Sequence, residues 1–377
     1  MNKERGNLHL IKRINRRLVL NLIRERQPIS RASVAKSLHL SRSTVSSIVD
    51  DLLQKKLVVE MGYADSSKDG GRRGVELGFN PKSAYGIGVD IGGTKILTVI
   101  TDLEGEIVYK EKRPTSQSVE TIVSFVQAAL HAAQLSEQDI VAMGVGVPSV
   151  TDIEQGIVVD APALHWDNFK LQELLAPHFS FPVLINNDVN CAALGEQWLG
   201  SGNHSDNMFF IAIGTGVGSA IIANGQLIYG HRFQAGEIAY NIVEDDLNYN
   251  RTNALGSFGL LEQKISGTAL NFADMSSTDL FARYKQGDVL AQERVQRFIR
   301  YLTLHITNAV NLLNPERVII GGGVSESMKE IIDEINDRVN HYTPIRTKVE
   351  LATLGGEAGA LGAIAYAFNE VEESQLL

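Results

Sequence analysis

Cysteine is almost absent from this chain of 377 residues, in which Cys191 is the single example. One thiol excludes an intrachain disulfide and fits a protein of the reducing cytoplasm. It also leaves too few thiolates for a structural zinc site built on cysteine. No apolar run approaches the ~20 residues of a membrane span, and the first residues lack the apolar segment of a secretory signal. We therefore expect a cytoplasmic protein without membrane contacts.

The net charge of −9 hides an uneven distribution along the chain. Residues 1–82 carry 17 basic and 8 acidic side chains, whereas the remaining residues carry 18 basic and 36 acidic ones. A basic head on an acidic body indicates that one end meets a polyanion and the other stays clear of it. A basic surface that contacts only solvent is the alternative that charge alone leaves open.

Three helical patterns occupy the first 55 residues. Apolar residues recur at helical spacing in Ile14–Ile23, and Pro28 ends that helix. Ser30 is predicted to cap a second helix that runs to Leu38, and Ser41 a third that runs to about Lys55. The third helix has the short donors and the arginine with which a recognition helix contacts base edges and phosphates. We expect DNA contacts from Arg42, Ser43, Thr44, Ser46 and Ser47.

Two strand patterns, Leu57–Met61 and Val75–Phe79, follow the third helix and flank a polar stretch. The stretch contains Arg72 and Arg73 between glycines, a composition that suits close approach to a DNA minor groove or its phosphates. The strands and their turn are predicted to form a wing. Three helices, a wing and a positive charge together predict a winged helix-turn-helix that binds double-stranded DNA.

From Tyr85 onward, apolar strands alternate with helical patterns, and three glycine-rich turns each follow a strand directly. The first two turns lead into a second strand, so each forms a hairpin whose N–H groups can surround a phosphate. Their spacing is not that of a P-loop. Two such hairpins predict a duplicated α/β fold with a nucleotide or sugar between two lobes. The three turns are 90–95, 214–219 and 321–325.

Five stretches of the chain resemble motifs of the ROK family of sugar kinases and repressors. They are DIGGTK at 90–95, NNDVNCAALGE at 186–196, IGTGVGS at 213–219, AGEIAY at 235–240 and NPERVIIGGGVS at 314–325. The resemblance covers the whole chain, because the family's repressors carry a winged helix-turn-helix of this kind. It implies a two-lobed, actin- or hexokinase-like body in which ATP and Mg²⁺ are possible ligands. The implied nucleotide-binding residues are Asp90, Gly92, Gly93, Thr94, Gly214, Thr215, Gly216 and Gly322.

The same resemblance gives a role to Asp188, which stands where the family's kinases have their general base. A carboxylate there would accept the proton of a sugar hydroxyl that attacks the γ-phosphate. A plain hydrogen-bond acceptor for sugar is the alternative. The implied sugar-binding residues are Asn187, Asp188, Glu237, Tyr240 and Glu262, which together form a polar cluster suited to a polyol.

One family feature is missing from this sequence. Members with a structural zinc site hold the metal with one histidine and three cysteines, and the matching positions here are Tyr240, Asn253, Leu255 and Leu260. None of these side chains is a credible Zn²⁺ ligand. We predict that zinc is absent, that no other metal is required, and that Leu255, Phe258 and Leu260 pack in its place.

We therefore predict an α/β protein with a winged helix-turn-helix at 1–80, a first lobe at 81–187 with 356–377, and a second lobe at 188–355. The predicted function is a homodimeric repressor of sugar-utilisation genes that a sugar releases from operator DNA. Xylose is the first expected ligand, before glucose or N-acetylglucosamine-type sugars. An ATP-dependent sugar kinase, either alone or bifunctional with the repressor, and an adaptor that does not bind DNA are the alternatives. His305 is assigned to an ordinary helix surface or interface.

Overall fold

The computed structural model describes residues 8–63, 74–254, 257–271 and 275–371. Its first part combines three helices with a small antiparallel sheet of strand order β1-β3-β2, which is a winged helix-turn-helix. Its elements are α1 (Leu8–Arg26), β1 (Ile29–Ser30), α2 (Arg31–Ser37), α3 (Arg42–Gln54), β2 (Val58–Tyr63) and β3 (Val75–Phe79).

Two serine caps fix where the second and third helices begin. The Ser30 Oγ accepts a hydrogen bond from the N–H of Ser33 at 3.2 Å, and the Ser41 Oγ accepts one from the N–H of Thr44 at 3.1 Å. Each cap satisfies a donor that would otherwise lack a partner in the first turn. Both predicted helix starts are confirmed, whereas α1 extends beyond the predicted range at both ends.

The first lobe is built on a five-stranded sheet of order β11-β7-β4-β5-β6. Strands β4 to β6 form an antiparallel meander, and β7 and β11 add to it in parallel. A second, three-stranded sheet of order β10-β9-β8 lies in the same part of the chain. The elements are β4 (Tyr85–Ile91), β5 (Lys95–Asp102), β6 (Ile107–Pro114), α4 (Val119–Ala133), β7 (Ile140–Val147), β8 (Thr151–Asp152), β9 (Ile157–Ala161), β10 (Trp166–Phe169), α5 (Leu171–Leu175) and β11 (Val183–Asn187).

The second lobe repeats this plan with the sheet order β14-β13-β12-β15-β16. Strands β12 to β14 form the antiparallel meander, and β15 and β16 add in parallel. The predicted duplication of the α/β fold is confirmed. The elements that follow β11 are α6 (Asp188–Leu199), β12 (Met208–Ile213), β13 (Val217–Ala223), β14 (Gln226–Leu227), α7 (Glu244–Asn248), α8 (Glu262–Ile265), α9 (Gly267–Leu270), α10 (Ser277–Lys285), α11 (Val289–Leu313), β15 (Arg317–Gly321), α12 (Ile332–Tyr342) and β16 (Lys348–Leu351). The last described helix, α13 (Ala358–Val371), packs against β4 and β7 of the first lobe.

Helices α6 and α13 pack against each other between the two large sheets. A Cβ added to Gly362 of α13 would lie 1.5 Å from the carbonyl oxygen of Cys191 in α6, so only glycine permits this approach. On the other side of α13, a Cβ on Gly144 of β7 would lie 1.9 Å from the carbonyl oxygen of Ala363. The side chain of Val189 in α6 packs against β13 of the second lobe. The helix pair therefore contacts both lobes.

Helix α11 is the longest helix of the described residues and has one apolar face. His305 lies on that buried face with 4% of its surface exposed, and its Nδ1 is 3.2 Å from the Nδ2 of Asn241. Of the expected surface or interface for His305, the exposed surface is therefore wrong, and the interface stays a prediction. Among the described helices, α11 included, none combines the length and apolar character that crossing a membrane requires.

The head joins the body through a short connection and a shared core. Strand β3 ends at Phe79 and β4 begins at Tyr85. Within the connection, the carbonyl oxygen of Pro81 accepts a hydrogen bond from the N–H of Leu103 at 3.1 Å. Head residues such as Leu22 belong to the same buried apolar cluster as body residues such as Phe368. Apolar packing thus adds to the covalent connection between head and body.

Candidate functional site

A cavity of about 800 Å³ lies between the two lobes, within the size range of small-molecule sites. The three glycine turns and the predicted polar cluster meet on its wall. The predicted residues that line it are Gly92, Gly93, Asn187, Asp188, Gly214, Thr215, Gly216, Glu237, Tyr240, Glu262 and Gly322. Residues more than 200 positions apart are thus brought to one site, as the duplicated fold predicts.

Asp90 and Asp188 lie close together, and of the two only Asp188 lines this cavity. A Cβ on Gly146 would be 3.6 Å from the Asp90 Oδ1 and equally far from the Asp188 Cα. Burial raises the pKa of Asp90 to about 6, against the opposing charge of Lys112. Burial, followed by the negative charge of Asp90, raises the pKa of Asp188 to about 7. A carboxylate that titrates near neutral pH is suited to accept a proton.

The side chain of Asn187 is used mainly to hold the start of α6, where Asp188 lies, and only part of it is left for a ligand. It is the N-cap of α6, and its Oδ1 accepts hydrogen bonds from the N–H groups of Val189 at 2.9 Å and Asn190 at 3.0 Å. Its Nδ2 donates to the carbonyl oxygen of Ser149 at 2.9 Å. Because these bonds occupy most of the amide, a ligand can use only its remaining N–H. Asp188 follows as the first residue of α6.

Two glutamates face the cavity from the second lobe. The Glu262 Oε1 accepts a hydrogen bond from the N–H of Val217 at 2.8 Å, and its Oε2 accepts one from the N–H of Gly259 at 2.9 Å. Partial burial and then the charge of Glu262 raise the pKa of Glu237. The carboxylate of Glu262 is held in a fixed direction by these bonds, and it and Glu237 offer acceptors that suit neighbouring hydroxyl groups of a polyol.

Hydrogen bonds brace the glycine turns. In the first turn, the Thr115 Oγ1 donates to the carbonyl oxygen of Gly92 at 2.6 Å. The Thr115 N–H donates to the carbonyl oxygen of Thr94 at 3.0 Å. Thr94 is exposed at the tip of the turn. In the second turn, the carbonyl oxygen of Gly214 accepts a hydrogen bond from the N–H of Gly267 at 2.7 Å. Braced turns hold backbone N–H groups in fixed positions, as anion binding requires.

The third glycine turn lies against the second. Gly322 has a φ of +84°, and a Cβ on it would lie 2.5 Å from the carbonyl oxygen of Ile213. That oxygen also accepts a hydrogen bond from the N–H of Val324 at 3.0 Å. A side chain at 322 would be strained and would also collide, so glycine is required there.

The segment that matches the family's zinc site is held by an asparagine. The Asn253 Nδ2 donates to the carbonyl oxygen of Tyr240 at 2.7 Å, and its Oδ1 accepts from the N–H of Leu260 at 2.8 Å. This side chain links three of the four matching positions, and none of the three carries a ligand for zinc. Over the described residues, no three histidine, cysteine, aspartate or glutamate side chains group as a metal site.

The predicted apolar replacement for the zinc is wrong for Phe258, which is 53% exposed. Leu260 is buried as predicted. Leu255 lies outside the described residues. The hydrogen bonds of Asn253 therefore join this segment to the cavity wall at Tyr240, and the buried Leu260 adds apolar packing.

Helix α3 presents the predicted DNA-contacting residues at its first turns. Arg42, Ser43 and Ser47 are exposed, and Thr44 and Ser46 are half-buried. The Thr44 Oγ1 is 2.7 Å from the Oγ of the Ser41 cap, so this hydroxyl is partly engaged within the helix. The Ser43 Oγ is likewise 2.9 Å from the Ser41 Oγ. The exposed Arg42 and Ser47 can face a groove. Arg72 and Arg73 of the predicted wing lie outside the described residues.

The sequence reasoning missed residues that complete the site. Gln234 lines the cavity, and its position directly before the 235–240 motif was the signal that could have revealed it. Thr115, which braces the first glycine turn, follows no motif and could be assigned only from the folded chain.

Two protein-family models match this chain. The model of the ROK family matches residues 86–370, and that of the winged helix-turn-helix DNA-binding domain matches residues 12–59. The chain belongs to the ROK family. The resemblance read from the motifs is thereby confirmed.

Members of the ROK family similar to this chain include repressors and kinases. The xylose repressor of Bacillus subtilis (strain 168) is 30% identical over 367 residues, which cover 93% of this chain and 94% of the repressor. A glucokinase of Halalkalibacterium halodurans is 32% identical over 305 residues, which cover 73% of this chain and 92% of the kinase. A solved ROK family transcriptional regulator, a homologue of the Escherichia coli MLC protein, superimposes with a TM-score of 0.81 at 23% identity, covering 97% of this chain and 98% of its own. That last likeness shows a shared fold, head included.

Proposed function

We propose that this protein is a transcriptional repressor that binds operator DNA through α3 and the wing of its head. A sugar bound in the cleft releases the repressor from the DNA. The observation that carries the proposal is the union, in one chain, of a winged helix-turn-helix with a cleft lined by Asp188, Glu237 and Glu262. The B. subtilis xylose repressor aligns along nearly the whole of both chains. A sugar-binding function of the body alone would not account for the presence of the winged helix-turn-helix.

Xylose is the sugar that we propose first. The carboxylates of Glu237 and Glu262 are acceptors on one side of the cleft, and Asp188 is an acceptor on its floor. Each can receive hydrogen bonds from hydroxyl groups of a neutral sugar. Glucose and N-acetylglucosamine present hydroxyl groups of the same kind, so the three sugars are tested together.

Release requires that sugar binds the DNA-free arrangement more tightly than the DNA-bound one, because a ligand shifts an equilibrium only by its differential affinity. For two copies on one operator, the recognition helices would lie ~34 Å apart, one turn of DNA.

An apolar surface supports a second copy. Ile242 and Leu304, 44% and 45% exposed, directly follow and precede the hydrogen-bonded residues Asn241 and His305.

The test is binding of DNA fragments selected by the protein from a random library, followed by addition of xylose, glucose or N-acetylglucosamine. We expect xylose to lower the affinity for DNA by at least about fivefold, the lower end of common allosteric couplings. Asp188→Asn should bind the same DNA and respond less. DNA binding that no sugar changes would refute a sugar-released repressor, and failure to select any sequence would refute DNA binding itself.

A sugar kinase is the second candidate, favoured by the pKa of about 7 at Asp188 and by similarity to a glucokinase. The braced glycine turns would hold ATP phosphates, and Asp90 would hold Mg²⁺, which neutralises phosphate charge when bound. Asp188 would take the proton from the attacking hydroxyl. Phosphorylation of any of the three sugars, reduced ~100-fold or more in Asp188→Asn, would establish this activity. No turnover with any of them would exclude it.

A further inference from the structure

A second cavity, of about 310 Å³, lies where the head meets the body. Three separate parts of the chain form its wall. Leu20 and Arg24 come from α1 of the head, Leu103 from the turn after β5 in the first lobe, and Gly225 from the β13–β14 turn of the second lobe. A movement of one lobe relative to the other therefore changes the shape of the space against which α1 rests.

Helix α6 connects the cleft with this junction cavity. It begins at Asp188 on the floor of the cleft and presents Trp198 to the junction cavity. Ten residues of α-helix span about 15 Å. Its partner α13 also extends from the cleft region to the junction cavity. Near its start, a Cβ on Gly359 would lie 2.8 Å from the carboxylate of Asp90, and near its end Phe368 lines the junction cavity. The rings of Trp198 and Phe368 meet edge to face with centroids 5.9 Å apart.

The two helices are held together as one rigid unit. The backbone contact of Gly362 with Cys191 allows no side chain between them. Glu196 of α6 is fully buried and accepts hydrogen bonds from the N–H groups of Thr353 at 3.0 Å and Leu354 at 2.8 Å, in the segment that leads into α13. Close-packed elements of this kind transmit displacement, because they shift as bodies and do not deform smoothly.

The head in turn rests on the end of this unit and on the first lobe. The Arg24 Nη2 donates to the carbonyl oxygen of Leu103 at 3.2 Å, and its guanidinium lies 5.4 Å from the ring centroid of Phe79. Leu20 shares the cavity wall with Trp198. A shift of Trp198 therefore displaces α1. Within the head, α1 packs against the DNA-facing helix α3.

We propose that Trp198 is the positioning residue through which the state of the sugar cleft reaches the DNA-binding head. Sugar between the lobes changes their relative position, α6 and α13 carry the change to the junction cavity, and Trp198 displaces α1. The inference rests on the proposed function, since it names how that function is regulated. Trp198 contacts neither the sugar nor the DNA.

The test measures coupling in the full-length chain. DNA affinity is measured with and without saturating xylose, glucose or N-acetylglucosamine, on a fragment selected by the wild-type protein. In Trp198→Leu, we expect DNA affinity without sugar and sugar affinity without DNA to stay within about twofold of wild type, while the sugar-dependent change falls from at least about fivefold to less than twofold. Trp198→Phe, which keeps an aromatic ring beside Phe368, should restore most of the coupling.

Phe181→Leu is the matched control, because Phe181 is buried in the first lobe outside the junction cavity. It loses comparable packing and should keep wild-type coupling. Coupling in Trp198→Leu equal to that of Phe181→Leu would overturn the proposed role of Trp198 and leave the repressor function intact. Wild-type protein whose DNA binding responds to none of the three sugars would overturn both.

Discussion

The Glu262 Oε1 accepts a hydrogen bond from the N–H of Val217 at 2.8 Å and so ties α8 to the second glycine hairpin. Glu262→Ala removes this bond and the one from Gly259, each worth about 1.5–3 kcal/mol for a charged acceptor. Because the bond to the hairpin and a sugar acceptor are lost together, we expect sugar affinity in calorimetry to fall at least about tenfold.

Glu173→Ala is the control for that experiment, since Glu173 has an exposed side chain and does not line the cleft. It should bind sugar like the wild type. A Glu262→Ala protein with unchanged sugar affinity would show that the carboxylate serves only the fold.

The stability of the sugar-free protein should depend on the protonation of Asp188. An aspartate ionises near 3.8 in the unfolded chain, but burial and Asp90 raise the pKa of Asp188 to about 7 in the fold. Between these values the folded state binds more protons, so this stabilisation is present at low pH and is lost as the pH rises through about 7.

Asp188→Asn removes that loss. We expect its melting temperature to exceed that of the wild type by a margin that grows between pH 4 and pH 8, as followed by thermal unfolding of both proteins. Asp167→Asn, at an exposed position, should track the wild type. A difference in melting temperature that does not change with pH would contradict the raised pKa of Asp188.

Arg42 should set the strength of DNA binding without affecting sugar binding. It is exposed at the first turn of α3, so Arg42→Ala is expected to weaken DNA binding by about 1–3 kcal/mol if it contacts a base. If it contacts a phosphate, binding should weaken uniformly and the salt slope fall by about one. Fluorescence anisotropy over a salt series separates the two.

Lys329→Ala gives the matched loss of one exposed positive charge from the acidic body. It should leave DNA binding as it is. An equal effect of the two substitutions would mean that net charge, and not the recognition helix, determines the affinity.

Asn253 should be required for stability in the segment where we predict that zinc is absent. Asn253→Ala leaves the Tyr240 carbonyl and the Leu260 N–H without their partner, at about 1–3 kcal/mol for each group that stays buried. Urea unfolding should show the loss, and Asn203→Ala, at an exposed position, should not. Addition of Zn²⁺ or a chelator should leave the wild-type unfolding midpoint unchanged; a shift would contradict the replacement.

A second copy of the chain should dissociate when the apolar surface is charged. Leu304 is 45% exposed on α11, and Leu304→Asp would place a carboxylate in the proposed interface. We expect sedimentation to show a dimer for the wild type and a monomer for this variant. Leu174→Asp, at a similarly exposed leucine of the first lobe, should remain a dimer; dissociation of both variants would argue against this interface.

The parts of the fold that the sequence predicted are those decided by neighbouring residues. Ser30 and Ser41 satisfy helix donors three residues away, and the glycine turns lie directly after the strands that they end. These features depend on local geometry, so the pattern of residue types suffices.

The parts that could not be predicted depend on contacts across the chain. His305 is buried on the packed face of α11 and contacts Asn241, 64 residues earlier. The contact of Gly362 with Cys191 and the cavity at Trp198 exist only once both lobes and the head have assembled. The motif at 186–196 located Asp188 but gave no sign that its own helix leads to the head.

The brief connection between Phe79 and Tyr85 has a consequence for how such proteins diversify. Since Leu22 and Phe79 are buried partly by the body, the head is not an interchangeable cassette, and one cut free would expose an apolar surface prone to self-association. New target sequences are then most easily acquired by changing the exposed side chains of α3, while the side of the head that faces the body is kept. Grafting this head onto another sensor would require the junction residues to be transferred with it.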